Sequence, residues 1–219
     1  MRFLDRTDAG FRLAAALSGY KGQHPVVLAL PRGGVPVAAE VAKALNAPLD
    51  LVLVRKIGLP GQPELAIGAV VDGERPIIVR NDELIRGAGV TDAAFEAVRK
   101  KESAEVERRR RCYVGMRGHP DLAGEVVIIV DDGIATGATM KAALQAIRRL
   151  DPKELVVAVP VASPEAIEEL RGQADTIICL ETPTPFGAIG YFYDDFSQVS
   201  DAEVVSTLER FPIEQRAAR

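Results

Sequence analysis

One stretch of the chain decides the expected fold: Val126-Val127-Ile128-Ile129-Val130-Asp131-Asp132-Gly133-Ile134-Ala135-Thr136-Gly137-Ala138-Thr139-Met140. Its first five residues are apolar and β-branched, which is typical of a strand buried on both faces of a parallel sheet. Two acidic residues and a loop of small residues follow, and an Ala-rich stretch then predicts a helix. Because a strand that leads through a short loop into a helix is the unit of α/β folds, we expect an α/β protein.

The same alternation of strands and helices occurs on both sides of this stretch. Strands are predicted at residues 25–30, 49–54, 125–130, 154–159 and 175–180, and helices at residues 7–17, 35–45, 91–111, 138–150, 164–170 and 200–210. Two further apolar runs, 66–71 and 76–79, are joined through Asp72-Gly73, a dipeptide favoured in hairpin turns. The pattern predicts a mostly parallel sheet flanked by helices, with a hairpin insertion and with its ligand-binding loops along one edge.

Composition and charge exclude several classes of protein. The net charge of −4 gives no overall electrostatic reason to bind nucleic acid. No apolar run reaches the length of a signal core or a membrane span. Cys112 and Cys179 are far apart in sequence and form no CxxC motif, so they read as reduced thiols. We expect a cytoplasmic protein without nucleic-acid or membrane partners, and the sequence leaves homo-oligomerisation open.

The loop after the quoted strand has the residues of a phosphate-binding cradle. Gly133 and Gly137 can adopt backbone angles that are closed to other residues. Thr136 and Thr139 place hydroxyls beside the N–H groups that are exposed at a helix start. Such a loop at a helix N-terminus is suited to binding a phosphate group.

Asp131 and Asp132 come directly before this cradle, at the edge of the predicted sheet. Carboxylates at that position can accept hydrogen bonds from the two hydroxyls of a ribose. The Walker A loop is excluded, because that motif requires Lys after its second Gly, whereas Ala138 follows Gly137 here. The residues therefore predict a sugar phosphate as the ligand.

Residues 126–140 resemble the motif with which type I phosphoribosyltransferases bind 5-phosphoribosyl-1-pyrophosphate (PRPP): a hydrophobic strand, two acidic residues and a Thr-Gly-x-Thr loop. The resemblance implies a type I phosphoribosyltransferase-like fold in which Asp131 and Asp132 hold the ribose hydroxyls. It also implies that the 5′-phosphate is held by Gly133, Ala135, Thr136, Gly137, Ala138 and Thr139. The alternative is an ordinary strand, turn and helix whose two acidic side chains are solvated.

Ala135 bears on the acceptor of the phosphoribosyl group. Members of the family that act on 6-oxopurines commonly carry an acidic residue at this position, where it contacts the base. The resemblance therefore disfavours hypoxanthine and guanine as acceptors. The stretch Arg55–Val70 further resembles a bacterial and archaeal branch of predicted phosphoribosyltransferases for which no acceptor is settled.

The pyrophosphate side is predicted in the loop after the first strand, Pro31-Arg32-Gly33-Gly34. Paired glycines allow main-chain N–H groups to approach an anion closely, although taken alone they are more often a plain turn. In the family this loop binds pyrophosphate, and by resemblance Arg32, Gly33 and Gly34 take that role. Arg55 and Lys56, at the end of the second predicted strand of the main sheet, are candidates for the same group, with a solvated basic pair as the alternative. Arg32 and Lys56 are also the cations expected to assist catalysis.

Three further features leave two interpretations open. The run Arg108–Arg111 is either part of a lid over PRPP or a solvated helix face interleaved with glutamates. Phe186, Tyr191 and Phe192 are candidates for stacking on an acceptor base and Asp194 for orienting a base amine, with packing or helix capping as the alternative. His24 and His119 are isolated in predicted loops, which disfavours roles as bases or metal ligands.

The resemblance implies an enzyme that transfers the phosphoribosyl group of PRPP to a nitrogenous, nucleobase-like acceptor and releases pyrophosphate. Mg²⁺ is expected as cofactor, bound mainly through PRPP, and no protein ligand of the metal is assigned. The alternatives are a PRPP-binding or nucleotide-binding regulator without turnover and a phosphohydrolase of a ribose-phosphate compound. We expect a single domain over residues 1–219, with a core at about 22–180, a lid region at about 65–115 and a C-terminal hood at about 181–219.

Overall fold

The computed structural model describes residues 2–73, 76–115 and 117–213, apart from the side chains of residues 63 and 64. In chain order its helices and strands are α1 Arg6–Ala16, β1 Val26–Ala29, α2 Gly34–Leu45, β2 Leu49–Leu51, β3 Val54–Leu59, β4 Gln62–Val71, β5 Ile77–Arg80, α3 Asp82–Gly87, α4 Asp92–Tyr113, β6 Val126–Val130, α5 Ala138–Arg148, β7 Glu154–Val161, α6 Pro164–Leu170, β8 Thr176–Glu181 and α7 Asp201–Glu209. Within these residues, no helix is both long and apolar enough to cross a membrane.

Five strands form a parallel sheet in the order β2-β1-β6-β7-β8. Helices cover both faces of this sheet, so the predicted α/β architecture is confirmed. The six predicted helices are all present with small differences at their ends, whereas α3 was not predicted. A second sheet, β3-β4-β5, is an antiparallel ribbon that contains the predicted hairpin, with Val71 opposite Ile77.

The strand predicted at residues 49–54 ends earlier than expected. β2 stops at Leu51, and the carbonyl of Leu53 accepts a hydrogen bond from the N–H of Asp72 at the end of β4. Hydrogen bonding thus passes from the parallel sheet to the ribbon, where Val54 already pairs with Val71. The prediction that Arg55 and Lys56 end a strand of the main sheet is therefore wrong, because both lie inside β3.

Alternate residues of the central strands pack into two separate cores. Val27 and Ala29 of β1 join one core with α1, α2, α4 and α7, whereas Val26 and Leu28 join the other with α5 and α6. All five residues of β6 are buried. Since successive side chains of a strand point to opposite faces, burial of both faces requires the continuous apolar runs seen in the sequence.

Phe3 pairs with the segment around Tyr193 beside the sheet. The N–H of Phe3 donates to the carbonyl of Phe192, and the N–H of Asp194 donates to the carbonyl of Phe3. Phe3 and Tyr193 are both buried, with ring centroids 5.4 Å apart. We call residues 182–199, between β8 and the N-cap of α7, the aromatic loop. Its pairing with the first residues of the chain fixes it over the edge of the sheet.

A buried charged cluster joins the ribbon to the main sheet. Nδ1 of His119 lies 2.7 Å from Oδ2 of Asp50 in β2, and Asp50 is 1% exposed. This hydrogen bond raises the pKa of His119. Asp72, at the end of β4, lies 3.9 Å from both His119 and Arg110, and burial raises the pKa of its carboxyl. The prediction that His119 is isolated is wrong, because Asp50 and Asp72 approach it from distant parts of the chain.

Gly10 sets how closely α1 approaches α2. A Cβ at this position would lie 2.8 Å from the carbonyl oxygen of Val37. Alanine ordinarily favours a helix over glycine, but here we expect Gly10→Ala to lower the free energy of unfolding by about 1–3 kcal/mol, because the helices must separate. Chemical denaturation measures the change.

The control for this variant is Gly87→Ala. Gly87 is also helical and has no atoms within 4 Å of an added Cβ, so we expect unchanged or slightly higher stability. A Gly10→Ala protein as stable as the wild type would contradict the close packing of α1 on α2.

Candidate functional site

The carboxyl ends of β1, β6 and β7 bring three loops together. Residues 30–34 follow β1, and we call them the Gly-Gly loop. Residues 133–139 follow the two acidic residues after β6, and we call them the Thr loop. The third loop, residues 162 and 163, joins β7 to α6. The N–H of Ile134 donates to the carbonyl of Val161, and the N–H of Ser163 donates to the carbonyl of Ile134. The edge at which α/β sheets bind ligands thus carries the Gly-Gly loop, the paired acids and the Thr loop, whereas Arg55 and Lys56 lie in the ribbon.

The Gly-Gly loop packs directly against Asp131 and Asp132. A Cβ at Gly33 would lie 2.0 Å from Oδ2 of Asp132, and a Cβ at Gly34 would lie 2.9 Å from Cα of Asp131. Only glycine leaves room for this approach. Two motifs about 100 residues apart, each predicted separately to bind PRPP, are therefore in contact.

Asp132 is held by three hydrogen bonds. Its Oδ2 accepts from Nε of Arg6 at 2.8 Å, its N–H donates to Oδ1 of Asp131 at 2.9 Å, and its carbonyl accepts from the hydroxyl of Tyr193 at 2.6 Å. The side chains of Arg6 and Asp132 are each 11% exposed. Arg6 and Tyr193 were not predicted as site residues: nothing near Arg6 in sequence marks it, and Tyr193 lies between the acceptor candidates Phe192 and Asp194 without being chosen itself.

Asp131 is half-buried, whereas Asp132 is buried with 8% of its surface exposed. Protein atoms nevertheless surround the carboxyl of Asp131, and this burial raises its pKa well above the ordinary value. The neighbouring Asp132 raises the pKa of Asp131 further, whereas the charge of Arg6 lowers it. The two carboxylates therefore differ: within the described part of the chain, Asp132 has a direct cationic partner and Asp131 has none.

The Thr loop has the geometry of an anion site. Gly137 has φ +73° and precedes α5, whose N-cap makes no side-chain hydrogen bond. The first N–H groups of α5 therefore have no side-chain cap, and the helix dipole favours an anion there. Thr136 is exposed and Thr139 half-buried at this helix start. Among the other predicted residues of the loop, Ala135 is exposed and Ala138 half-buried.

Ser163 joins the Thr loop to α6 through hydrogen bonds of its hydroxyl. Its hydroxyl donates to the carbonyl of Ala135 at 2.7 Å and accepts from the N–H of Ala166 at 3.0 Å, as the N-cap of α6. The dipeptide Ser163-Pro164 predicts a helix start, but it does not reveal the contact with Ala135. This residue was missed for that reason.

The predicted pyrophosphate cations lie in different surroundings. Nη1 of Arg32 lies 3.4 Å from Oδ1 of Asp201, which also accepts from the hydroxyl of Tyr113 at 2.6 Å. Burial and this hydrogen bond raise the pKa of Tyr113 to about 12. Arg55 donates to Glu102 of α4 at 2.8 Å. Since neighbouring residues of a strand point to opposite faces, Arg55 and Lys56 do not face the same side of β3.

The basic run of α4 is largely paired on its own helix. Arg108 and Arg109 both donate to Glu105, whose pKa they lower to about 2, and Arg111 pairs with Glu107. Arg110 instead donates to the carbonyl of Gly73. These contacts correspond to the interpretation of residues 108–111 as a helix face interleaved with glutamates.

The candidate acceptor residues divide between packing and exposure. Phe186 and Phe192 pack against the small core of Phe3 and Tyr193, whereas Tyr191 is 72% exposed. Asp194 pairs with Arg2 at 3.1 Å. It does not cap α7, because Ser200 occupies the N-cap and forms a capping box with Glu203. In the same loop, Ile189 packs closely against Gly133: a Cβ added at Gly133 would lie only 2.6 Å from Cγ2 of Ile189.

Comparison with known proteins agrees with this geometry. Residues 6–195 match the family model described as the phosphoribosyl transferase domain. The chain belongs to this family. The matched region contains the Gly-Gly loop, the paired acids, the Thr loop and Arg6.

Several relatives of this phosphoribosyl transferase chain are known. Two proteins of Mycobacterium tuberculosis, from strains CDC 1551 and H37Rv, are each named "Putative phosphoribosyl transferase" and are 49% identical over 208 residues. The match covers 95% of this chain and 46% of each relative, so the chain spans about half the length of these curated relatives. The crystal structure of TT1426 from Thermus thermophilus is 43% identical, with a TM-score of 0.86 over 97% of this chain and 100% of that one.

A ribose-phosphate pyrophosphokinase of Thermococcus kodakarensis matches a shorter part of the phosphoribosyl transferase chain. It is 34% identical over 110 residues, which cover 48% of this chain and 39% of that protein.

The residues at this phosphoribosyl transferase site fit a metal carried by its ligand. Among the described residues, no three side chains of His, Cys, Asp or Glu are grouped as a metal site. Mg²⁺ in phosphate-binding sites keeps several waters and is held by one or two carboxylates together with substrate phosphates. Asp131 and Asp132 are one such pair, at the edge of both loops.

The buried carboxyl of Asp131 predicts a gain in stability when its charge is removed. Because its pKa is raised in the folded chain, wild-type stability falls as pH rises from about 4, the ordinary value of an aspartate, through the raised value. We expect Asp131→Asn to raise the free energy of unfolding by about 1–3 kcal/mol at pH 8, and this gain to vanish below about pH 4. Denaturant titrations at both pH values measure it.

Asp121→Asn is the matched control. Asp121 is exposed and, like Asp131, accepts a hydrogen bond from a nearby main-chain N–H, that of Ala123. We expect its stability to equal that of the wild type at both pH values. An Asp131→Asn protein with no gain at pH 8 would show that the buried carboxylate carries no electrostatic penalty.

Proposed function

We propose that this chain transfers the 5-phosphoribosyl group of PRPP to a nitrogenous, nucleobase-like acceptor and releases pyrophosphate. One observation carries the proposal: the paired carboxylates lie between two loops suited to anions. The Gly-Gly loop touches Asp131 and Asp132 from one side, and the Thr loop continues from them into the N-terminus of α5. A ligand with a ribose between two phosphate groups matches this order of sites.

Each predicted residue takes a role that follows from its position. Asp131 and Asp132 accept hydrogen bonds from the ribose hydroxyls. Residues 133–139 and the N-terminus of α5 hold the 5′-phosphate. The main-chain N–H groups of Gly33 and Gly34 approach the pyrophosphate, with Arg32 and Lys56 supplying positive charge. The pyrophosphate role of Arg55 is weaker, because its guanidinium is paired with Glu102.

The reaction needs no covalent intermediate on the protein. A nitrogen lone pair of the acceptor attacks C1′ and forms the C1′–N bond, while the C1′–O bond breaks and its electron pair leaves with pyrophosphate. A proton of the acceptor nitrogen passes to solvent. When bound, Mg²⁺ supplies positive charge to the pyrophosphate oxygens. The chain contributes by holding both reactants in line and by excluding water.

The ribbon and the aromatic loop are the proposed variable parts of a single domain. We propose that the lid region at about residues 65–115 closes over PRPP and that the hood at about residues 181–219 covers the acceptor. Exposed Tyr191 supports an acceptor that stacks, whereas Phe186 and Phe192 shape the hood from within. Ala135 offers no carboxylate to a 6-oxopurine. The free thiols of Cys112 and Cys179 fit the proposed cytoplasmic location.

Binding of PRPP is tested by thermal unfolding with PRPP and Mg²⁺. At a concentration of 100 times Kd, binding should add about 2.7 kcal/mol and raise Tm by several degrees. We expect Asp132→Asn to lose most of this rise, because the ribose loses a charged acceptor, and Asp121→Asn to keep it. No rise in the wild type would overturn the proposed donor.

Turnover is tested by pyrophosphate release from PRPP across purine, pyrimidine and small-amine acceptors. Release that depends on an acceptor supports transfer. Release without any acceptor would identify a hydrolase, and a thermal shift without release for any acceptor would identify a regulator.

A further inference from the structure

Arg6, the first residue of α1, places its guanidinium inside the carboxylate site. Nε donates to Oδ2 of Asp132, and Nη1 donates to the carbonyl of Ser197, both at 2.8 Å. The guanidinium carbon lies 3.9 Å from the ring centroid of Phe196, a distance typical of a cation–π contact. Three contacts from two parts of the chain hold this side chain, which is 11% exposed. Arg6 therefore differs from a surface arginine that moves freely in solvent.

Arg6 donates its hydrogen bond to one of the two carboxylate oxygens of Asp132, Oδ2. Across residues 2–73, 76–115 and 117–213, hydrogen bonds to this carboxylate reach Oδ2 and none reaches Oδ1. The Gly-Gly loop also approaches Oδ2 more closely than Oδ1, at 2.0 Å and 3.0 Å from the Cβ position of Gly33. A ligand hydroxyl therefore meets fewer neighbouring atoms at Oδ1 than at Oδ2.

We propose that Arg6 is a positioning residue for ribose binding: it fixes Asp132 through Oδ2 and leaves Oδ1 to accept a ribose hydroxyl. The inference rests on the proposed function and adds the N-terminal helix to the site. Arg6 acts through Asp132 and not on the reacting atoms. The planar guanidinium suits this task, because its N–H groups reach the carboxylate and the carbonyl of Ser197 from fixed directions.

The charge of Arg6 has a second effect on the site. PRPP is strongly anionic, and two uncompensated carboxylates would repel it. Arg6 of α1 balances one of these charges and lowers the pKa of Asp131, against burial and Asp132, which raise it. Tyr193 faces the pair from the aromatic loop with a neutral hydroxyl, since burial and Asp132 raise its pKa. The Gly-Gly loop contributes only backbone and glycine hydrogens at this contact.

The opposite role for Arg6 would be a latch that competes with ribose for Asp132. Ribose binding would then have to displace the guanidinium, which would break its contacts with Ser197 and Phe196 as well. Since a carboxylate offers about four lone-pair sites, ribose and Arg6 can bind it together. The two roles predict opposite changes in affinity when Arg6 is replaced.

The test compares three variants of α1 by isothermal calorimetry with Mg²⁺ and PRPP at fixed salt. We expect Arg6→Gln to raise Kd about 10- to 100-fold, the range for losing a hydrogen bond to a charged group. Arg6→Lys keeps the charge without the planar fork, so its Kd should rise less. Arg12→Gln is the control, because Arg12 also lies on α1, pairs with Asp8 at 2.7 Å and lies 5.3 Å from the ring of Phe3. Its Kd should change less than twofold.

A comparison of ligands separates positioning from a general loss of structure. Since Arg6 acts through the ribose-binding carboxylate, Arg6→Gln should weaken the binding of ribose 5-phosphate about as much as that of PRPP, and leave the binding of inorganic pyrophosphate nearly unchanged. A purely structural role would weaken the binding of all three ligands. Thermal unfolding without ligand shows whether each variant is folded. If Arg6→Gln does not fold, Arg6→Lys takes its place in the comparison with Arg12→Gln.

Three results would overturn the inference. Arg6→Gln could bind PRPP as tightly as the wild type or more tightly, as a latch requires. Arg12→Gln could lose as much affinity as Arg6→Gln, or Arg6→Gln could lose affinity for inorganic pyrophosphate as much as for ribose 5-phosphate. Failure of the wild type to bind PRPP would overturn the proposed function instead, and the same variants titrated with ribose 5-phosphate would still decide the role of Arg6, since that role requires only the ribose and its phosphate.

Discussion

Two carboxylates stand next to each other at the end of β6, and much of the surrounding structure compensates for their proximity. Like charges so close in a partly buried setting destabilise the folded chain unless a cation or hydrogen bonds offset them. Arg6 pairs with the carboxylate of Asp132, the hydroxyl of Tyr193 donates to the main-chain carbonyl of Asp132, and the glycines of the Gly-Gly loop leave room beside both acids. Arg6 and Tyr193 are 187 positions apart in sequence, so the site depends on the fold and not on one motif.

The parallel sheet makes this arrangement rigid. β6 is buried along its full length between two helical layers, so the position of its carboxyl end is fixed by both cores. The loops that follow β1 and β7 then contact the same end through main-chain hydrogen bonds and glycine contacts. The chain accepts a buried carboxyl with a raised pKa at the site, and the apolar layers on either side of the sheet offset that cost.

The sequence was informative where local chemistry decides structure. The apolar run 126–130, the glycines and threonines after it and the Ala-rich helices predicted the sheet and the two loops at its edge. It was less informative where contacts join distant residues. Nothing local links Arg6 to Asp132, Ser163 to Ala135 or His119 to Asp50, because each pair meets only when the strands are in register. The early end of β2 was missed for the same reason, since its hydrogen bonding is taken over by β4.

Because residues 3 and 6 contact the aromatic loop, the site can be completed only after that loop has been synthesised. Phe3 pairs with Phe192, and Arg6 contacts Ser197, which lies 191 positions later. A chain emerging from the ribosome holds both anion loops and the paired acids long before the aromatic loop exists. Until that loop arrives, Arg6 lacks the stacking partner and the carbonyl that orient it. Completion of the site therefore requires that residues 196 and 197 have been made and have folded onto Arg6.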